Sequence, residues 1–189
     1  MHLVIFDLET TGLSPAYHEI IQIAGVRMRA GRILAEEAFA TFVQPLQPIP
    51  AEVSGYTRIT NAQVENAPRA AKALVAFSRF VGDATLIAHN GQRFDMPFIR
   101  AACERHALPV RPVSLIDSIA FSRQLWGGRG GHSLDDVMAR LQLSVPGTRR
   151  HDARGDVQIL AEAVRLMWGQ LSPDFGVCPV SRGTGVIAE

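Results

Sequence analysis

The sequence predicts an α/β fold in which a mixed, five-stranded central sheet carries helices on both faces. Three apolar, strand-like segments follow one another at the start of the chain, as in an antiparallel meander. Short apolar strands then alternate with amphipathic helices, an order typical of parallel strands covered by helices. With 189 residues, of which 47% are hydrophobic, the chain has the size and composition of one globular domain.

The predicted strands are apolar runs bounded by turn residues. Ala30, Gly31 and Arg32 form a hairpin turn between the second strand and the third. The prolines of PLQPIP, which begins at Pro45, then end the meander, because proline lacks the N–H that a sheet ladder needs. The five strands are expected at residues 2–8, 19–29, 33–43, 85–90 and 114–118.

Helices are predicted where capping residues precede apolar residues at helical spacing. Thr60 caps a short helix, and Ser133 opens another as part of a capping box. From residue 172 the periodicity stops, so we expect a domain over residues 1–171 and a C-terminal tail over residues 172–189, a candidate disordered segment. The helices are expected at residues 60–64, 68–81, 95–106, 133–141 and 152–171.

Charge and cysteine usage limit the class of protein. The formal net charge is +1, so any binding of nucleic acid must depend on a local basic patch. Cys103 and Cys178 have neither C-x-x-C nor zinc-site spacing, which indicates reduced thiols. No apolar run approaches the length needed to cross a bilayer. We therefore expect a soluble, cytoplasmic protein with no membrane partner and an oligomeric state that the sequence leaves open.

Two carboxylates follow the first apolar run, in the stretch IFDLETTGL. Alternate side chains of a strand lie on the same face, so Asp7 and Glu9 are expected to project side by side. Such a pair is disfavoured unless a cation lies between the two groups, and hard divalent ions suit facing oxygens. The pair indicates a metal site; the alternative is an exposed strand end with solvated acids.

Further acids occur in HNGQRFD and HDARGD. Asp95 is expected where a strand ends and a helix begins, a position that favours negative charge. Five residues along a helix place two side chains roughly 140° apart, so His151 and Asp156 can share a site only if His151 lies in the loop before the helix. Asp152 then lies near the helix cap. Taken singly, Asp95 has the alternative of a simple helix-start residue and His151 that of a solvated loop residue.

Together, IFDLETTGL, HNGQRFD and HDARGD resemble the three motifs of the DEDD exonucleases of the DnaQ type, in the variant with histidine in the third motif (DEDDh). The ordered set is more specific than any one motif, and the resemblance covers residues 1 to about 170. It implies a ribonuclease-H-like fold. It also implies metal-dependent hydrolysis of single-stranded nucleic acid, with DNA favoured over RNA, from the 3′ end to nucleoside 5′-monophosphates.

The resemblance also implies roles for the residues of the three motifs. Two divalent ions, Mg²⁺ or Mn²⁺, would be held by the four acids, and such a pair suits in-line displacement at phosphorus. His151 would be the general base. The candidate catalytic residues are therefore Asp7, Glu9, Asp95, Asp156 and His151, of which the four acids are the candidate metal ligands.

Residues next to these acids are the candidates for binding substrate. Gly12 would let the backbone approach a nucleotide, the amides of Thr10 and Thr11 would bond the terminal 3′-hydroxyl, and Leu13 would wedge against the terminal base. The alternative is a plain glycine turn. Three further candidates lie in HNGQRFD: His89 and Asn90, expected chiefly to hold the strand end, and Phe94, which either stacks on a base or packs in the core.

Two other classes of function remain open. One is a nucleic-acid-binding module without catalysis, which should lack an acid or the histidine; none is missing. The other is a phosphodiesterase acting on mononucleotides or very short oligonucleotides, for which a closed pocket is expected.

Two departures from the family pattern concern partners and Gln22. Gln22 stands where the family often has an acid, and no catalytic role is expected of it. The chain lacks the longer extension by which a replicative proofreading subunit binds its polymerase, and the QLS segments at residues 142–146 and 170–173 resemble sliding-clamp-binding peptides only faintly. A DNA polymerase or a sliding clamp is thus a weakly supported partner.

Overall fold

Six strands form one mixed sheet, in the order β3-β2-β1-β4-β5-β6. The structure is a computed structural model that describes residues 1–189. Antiparallel pairs join β1 to β2, β2 to β3 and β5 to β6, whereas β4 is parallel to both β1 and β5. The strands are β1 (His2–Thr10), β2 (Ile20–Arg29), β3 (Arg32–Phe42), β4 (Thr85–Ala88), β5 (Val110–Asp117) and β6 (Gly183–Ala188).

Seven helices cover the sheet or extend its rim. They are α1 (Ala51–Thr57), α2 (Asn61–Val64), α3 (Ala70–Val81), α4 (Asp95–Arg105), α5 (Ile119–Trp126), α6 (Leu134–Leu141) and α7 (Ala153–Leu171). The capping boxes expected at Thr60 and Ser133 are both present. No helix is both long enough and apolar enough to span a membrane.

The alternation of side chains along β1 divides the interior into two cores. Val4 and Phe6 belong to the core under α3 and α4, whereas Leu3 and Ile5 belong to the core under α5, α6 and α7. The predicted α/β architecture with helices on both faces is therefore confirmed. The odd-numbered residues of β1 face α7. The side chains of Asp7 and Glu9 therefore lie on the same face of the sheet as those of Leu3 and Ile5.

The C-terminus differs from the prediction of five strands and an unstructured tail. β6 pairs with β5 and makes the sheet six-stranded, and its Ile187 and Ala188 are buried. Its sequence, GTGVIA, is too short and too glycine-rich to show strand periodicity. A Cβ at Gly185 would lie 2.3 Å from the sulfur of Met96. Close packing on α4 therefore requires glycine at this position, and glycine is the residue type that weakened the strand pattern in the sequence.

Two helices, α1 and α5, were not predicted. Pro50 and Ser118 precede them, and neither side chain makes a capping hydrogen bond. Both helices therefore start without the capping hydrogen bond that marks the starts of α2 and α6. Cys103 and Cys178 are both free thiols, as their spacing indicates.

Candidate active site

The face of β1 that packs against α7 ends in two carboxylates. Glu9 is buried and pairs directly with Gln22 across the β1–β2 ladder, while Asp7 is partly exposed at the floor of a cleft. The ladder shifts register after Glu9, so the regular strand ends at the acids. The predicted side-by-side placement of Asp7 and Glu9 is what the strand geometry produces.

The start of α7 brings His151 and Asp156 to the same place. Asp152 caps α7 by accepting a hydrogen bond from the Arg154 N–H at 3.1 Å. His151 precedes this cap with φ of 59°, and its N–H donates to Asp156 Oδ2 at 3.1 Å. Possible ligand atoms of Glu9, His151 and Asp156 all lie within 4.8 Å of one another. A loop histidine and a helical acid thus meet Glu9, as the spacing of HDARGD predicts.

Asp95 enters the site from the other side of the sheet. It is the first residue of α4 and is only 2% exposed, and its Oδ1 atom has no hydrogen-bond partner. Asp7, Asp95 and Asp156 line one cleft, and Asp156 in turn lies beside Glu9 and His151. An unpartnered buried carboxylate oxygen is costly, which indicates a site made for a further ligand.

Burial and mutual repulsion raise the pKa values of these acids. For Asp7, burial and then the charges of Asp95, Glu9 and Asp156 raise the pKa well above its ordinary value. Burial, followed by the charge of Asp156, raises the pKa of Glu9 to about 8. Burial also raises the pKa of Asp95 to about 7. The cluster cannot ionise fully near neutral pH without a cation, and divalent ions with oxygen ligands are the natural complement.

Arg150 is the cation already present beside the acids. Its guanidinium contacts Asp156 Oδ1, and its Nε donates to Asp135 Oδ1 at 2.7 Å. Its charge lowers the pKa values of Asp7 and Glu9, but burial and the neighbouring carboxylates outweigh it. One guanidinium therefore compensates only part of the negative charge.

The TTGL segment, residues 10–13, has fewer groups free to bind substrate than predicted. The Thr11 N–H donates to the Glu19 carbonyl oxygen at 2.8 Å, so this amide is already used within the protein. A Cβ at Gly12 would lie 2.4 Å from the His18 ring, so the ring of His18 itself requires glycine there. Leu13 is 82% exposed and available to contact a base, and the Thr10 hydroxyl donates to the Gly12 carbonyl at 2.7 Å.

The residues of HNGQRFD hold the end of β4 and line the cleft. His89 Nδ1 lies 2.7 Å from the Ser118 hydroxyl, and the Asn90 N–H donates to Asp117 Oδ1 at 3.0 Å. Phe94 packs on Phe98 with ring centroids 5.0 Å apart and also lines the cleft. His89 and Asn90 therefore hold the strand end, as expected. Phe94 packs in the core and also faces the cleft where a base could stack, so its two predicted roles are compatible.

Two residues of the site were not identified from the sequence. Gln22 is 1% exposed; its Oε1 accepts from the Ala153 N–H at 2.9 Å and its Nε2 donates to Asp152 Oδ1 at 3.2 Å. A lone polar residue within the apolar run of β2 was the available signal. Tyr56, an exposed residue of α1, meets the His151 ring edge-on at 5.7 Å, and no sequence pattern indicates it.

The cleft that contains the acids has a volume of about 480 Å³ and is open to solvent. A second cleft, of about 370 Å³, lies between β3 and α7, is mostly apolar and contains none of the acids. The open acidic cleft is the site whose chemistry matches the predicted motifs.

Comparison with known proteins supports the same class. The family model described as Exonuclease (RNase_T) matches residues 4–164, and the chain therefore belongs to this exonuclease family. A DNA polymerase III subunit epsilon-like protein of Rhodobacter capsulatus is 42% identical over 171 residues, which cover 87% of this chain and 23% of that protein. A PolC-type DNA polymerase III of Latilactobacillus sakei is 38% identical over 155 residues, which cover 82% of this chain and 10% of that protein. The chain thus spans a quarter or less of these relatives, and its predicted resemblance to DnaQ-like exonucleases is confirmed.

Solved structures agree with the fold. Exonuclease X in complex with 5′ overhanging duplex DNA has 27% identity and a TM-score of 0.70, covering 89% of this chain and 92% of that chain. The nuclease domain of 3′hExo, a DEDDh family member bound to rAMP, has 19% identity and a TM-score of 0.81, covering 96% of both chains. The ribonuclease-H-like exonuclease fold is thereby confirmed.

Proposed function

We propose that the protein is a metal-dependent 3′–5′ exonuclease of the DEDDh type that degrades single-stranded nucleic acid, DNA in preference to RNA, to nucleoside 5′-monophosphates. The observation that carries the proposal is that Asp7, Asp95 and Asp156 line one open cleft, with Glu9 and His151 beside Asp156. The names of the relatives, which are DNA polymerase III proteins, favour DNA.

The acids fit divalent metal ions. Asp95 offers a buried oxygen without a hydrogen-bond partner, and the raised pKa values of Asp7 and Glu9 show that negative charge there lacks compensation. Asp7, Glu9, Asp95 and Asp156 would hold two ions, Mg²⁺ or Mn²⁺. When bound, such ions activate the attacking water and stabilise the leaving 3′ oxygen.

His151 is the proposed general base. It is exposed at the mouth of the site, and its position in the loop before α7 places the imidazole beside Glu9 and Asp156. An imidazole nitrogen can accept the proton of the attacking water as the P–O3′ bond breaks. Leu13 and Phe94 would contact the terminal base; the exposed side chain of Leu13 and the position of Phe94 in the cleft support these roles.

The open form of the cleft favours a polymer as substrate over the small nucleotides of the alternative phosphodiesterase. The complete set of acids and the histidine disfavours a purely binding module. A contact with a DNA polymerase is supported by the names of the relatives, and one with a sliding clamp only by the QLS segments.

Matched single strands labelled at either end test the polarity of cleavage. We expect a 3′-terminal label to be released at once as a nucleoside 5′-monophosphate, while a 5′ label passes through a ladder of shortening strands. Immediate release of the 5′ label, or internal cuts, would refute the proposed direction. The variant His151→Gln should lose most of the rate.

A further inference from the structure

We propose that a basic groove beside the acids, formed by Arg93, Arg123, Arg129 and His132, binds the phosphodiester backbone of the strand that leads into the active site. This inference rests on the proposed function and specifies its substrate as a strand several nucleotides long.

The acidic cleft has a second, basic wall. Arg123 lies on α5, and Arg129 lies on the glycine-rich loop between α5 and α6; both line the cleft that also contains Asp7 and Asp95. Gly127, with φ of 66°, and its glycine neighbours adopt left-handed backbone conformations, which suits the tight path of this loop. The two arginines are exposed and form no ion pair with a protein carboxylate.

The groove continues beyond the acids. A neighbouring cleft of about 330 Å³ shares Asn90, Ile119 and Arg123 with the acidic cleft and extends to Arg93. Its one carboxylate, Asp117, accepts hydrogen bonds from the backbone N–H groups of Asn90 and Ile119 at 3.0 and 3.1 Å. The guanidinium groups that have no protein partner are therefore arranged in one direction away from the site. A bound polyanion would require such an arrangement.

His132 supplies an independent sign of a ligand. It is 6% exposed and lines the cleft, and its Nε2 atom has no hydrogen-bond partner. The opposite ring atom, Nδ1, lies 2.9 Å from the Ser122 hydroxyl, which is also 3.1 Å from the Ile119 carbonyl oxygen. The single Ser122 proton can go to either acceptor. When it goes to Nδ1, the proton of the ring lies on Nε2, and an Nε2–H donor suits a phosphate oxygen.

His89 repeats this arrangement. Its Nδ1 lies within hydrogen-bond distance of the Ser118 hydroxyl, and its buried Nε2 has no hydrogen-bond partner. Imidazole nitrogens without partners and free guanidinium groups can together bind phosphate, and the direction of the groove indicates successive phosphates along one strand.

Binding without catalysis provides the first test. Wild type, the double variant Arg123→Ala/Arg129→Ala and the control Arg100→Ala, an exposed arginine of α4 outside the groove, are mixed with a fluorescent single-stranded oligonucleotide in chelator. We expect the double variant to bind about tenfold or more weakly, with a salt dependence reduced by about 0.7 in log–log slope for each lost phosphate contact, while Arg100→Ala matches wild type. Equal affinity and slope for the double variant and wild type would overturn the proposal.

Cleavage of two lengths separates the groove from the catalytic reaction. With metal present, kcat/KM is measured for a dinucleotide and for a long strand with the same 3′-terminal step. The loss in the double variant should be about tenfold larger on the long strand. An equal loss of kcat/KM on both lengths would mean that the arginines act in the reaction itself, and it would contradict the proposed binding role of the groove. Strong binding by a wild type that cleaves neither length would contradict the proposed function while leaving the groove intact.

Discussion

The Gln22 side chain is bonded to the first helical residue of α7: its Oε1 accepts a hydrogen bond from the Ala153 N–H at 2.9 Å. Gln22 also lies directly opposite Glu9 in the β1–β2 ladder. One buried amide thus fixes the start of the helix that carries Asp156 relative to the strand that carries Glu9. Gln22 therefore positions the two elements, a role for which its polar side chain in an apolar strand was the only signal in the sequence.

Replacing Gln22 should weaken both the fold and the site. In Gln22→Leu, the buried Ala153 N–H loses its partner, at a cost of about 1–3 kcal/mol in the free energy of unfolding. Metal affinity should fall by about 10–100-fold, as for other residues that orient ligands. Titration calorimetry with Mn²⁺ and urea unfolding measure the two effects. Gln170→Leu, at the exposed end of α7, should change neither; unchanged metal affinity in Gln22→Leu would contradict the positioning role.

Two glycines of α7 provide a matched pair for testing the His151 loop. A Cβ at Gly155 would lie 2.3 Å from the Arg149 carbonyl oxygen, whereas one at Gly169 would meet nothing closer than 3.9 Å. Gly155→Ala should displace the loop and reduce kcat by about 100-fold. Gly169→Ala should keep full activity and stabilise the helix by up to about 1 kcal/mol. Steady-state kinetics and thermal unfolding compare the two, and equal activity of both variants would show that the packing of this loop is unimportant.

Removing one acid should stabilise the metal-free protein. Asp7 lies in a cluster whose burial and like charges raise its pKa, so Asp7→Asn relieves repulsion in the folded state. We expect the free energy of unfolding in chelator to rise by about 1 kcal/mol while catalysis is lost. Urea unfolding measures the gain, and Asp83→Asn, an exposed acid outside the site, serves as the control. A less stable Asp7→Asn in chelator would mean that the carboxylate is held by favourable contacts.

The same acids predict an unusual dependence of stability on pH. The pKa of Glu9 rises from an ordinary 4.5 to about 8, and that of Asp95 from 3.8 to about 7. Between the ordinary and raised values the folded state binds more protons than the unfolded state, so the free energy of unfolding falls as pH rises from about 4 to 8. Each kcal/mol lost should lower the melting temperature by about 2–4 °C.

Melting curves from pH 5 to 8, in chelator and in excess Mg²⁺, check this dependence. Metal should stabilise the protein more at the higher pH, because the ligands must lose their protons to bind it. Glu9→Gln should flatten the curve in chelator. A metal-free melting temperature that rises steadily from pH 5 to 8 would contradict the raised pKa values.

The sequence predicts what local patterns determine. The alternation in β1 placed Asp7 and Glu9 on one face, and the helical angle between residues 151 and 156 required His151 to precede α7; both agree with the structure. The capping side chains of Thr60 and Ser133 marked helix starts.

Tertiary contacts determine the rest. β6 pairs with β5, and its Gly185 packs against Met96. Neither contact can be predicted from the sequence of the β6 segment alone. Gln22 reaches Ala153 across 131 residues of sequence. The Thr11 amide, expected to bind substrate, is instead used by the Glu19 carbonyl, a contact that only the folded loop shows.

Cleavage of a 5′-labelled single strand by wild type and Asp7→Ala tests the central claim most directly. DNA and RNA of equal sequence are incubated with each protein in Mg²⁺, in Mn²⁺ and in chelator. We expect wild type with either metal to shorten the strands from the 3′ end, DNA faster than RNA, and we expect no cleavage in chelator or by a folded Asp7→Ala. Cleavage by Asp7→Ala at the wild-type rate, or none by folded wild type supplied with metal, would contradict the assignment of this cleft as the active site of an exonuclease.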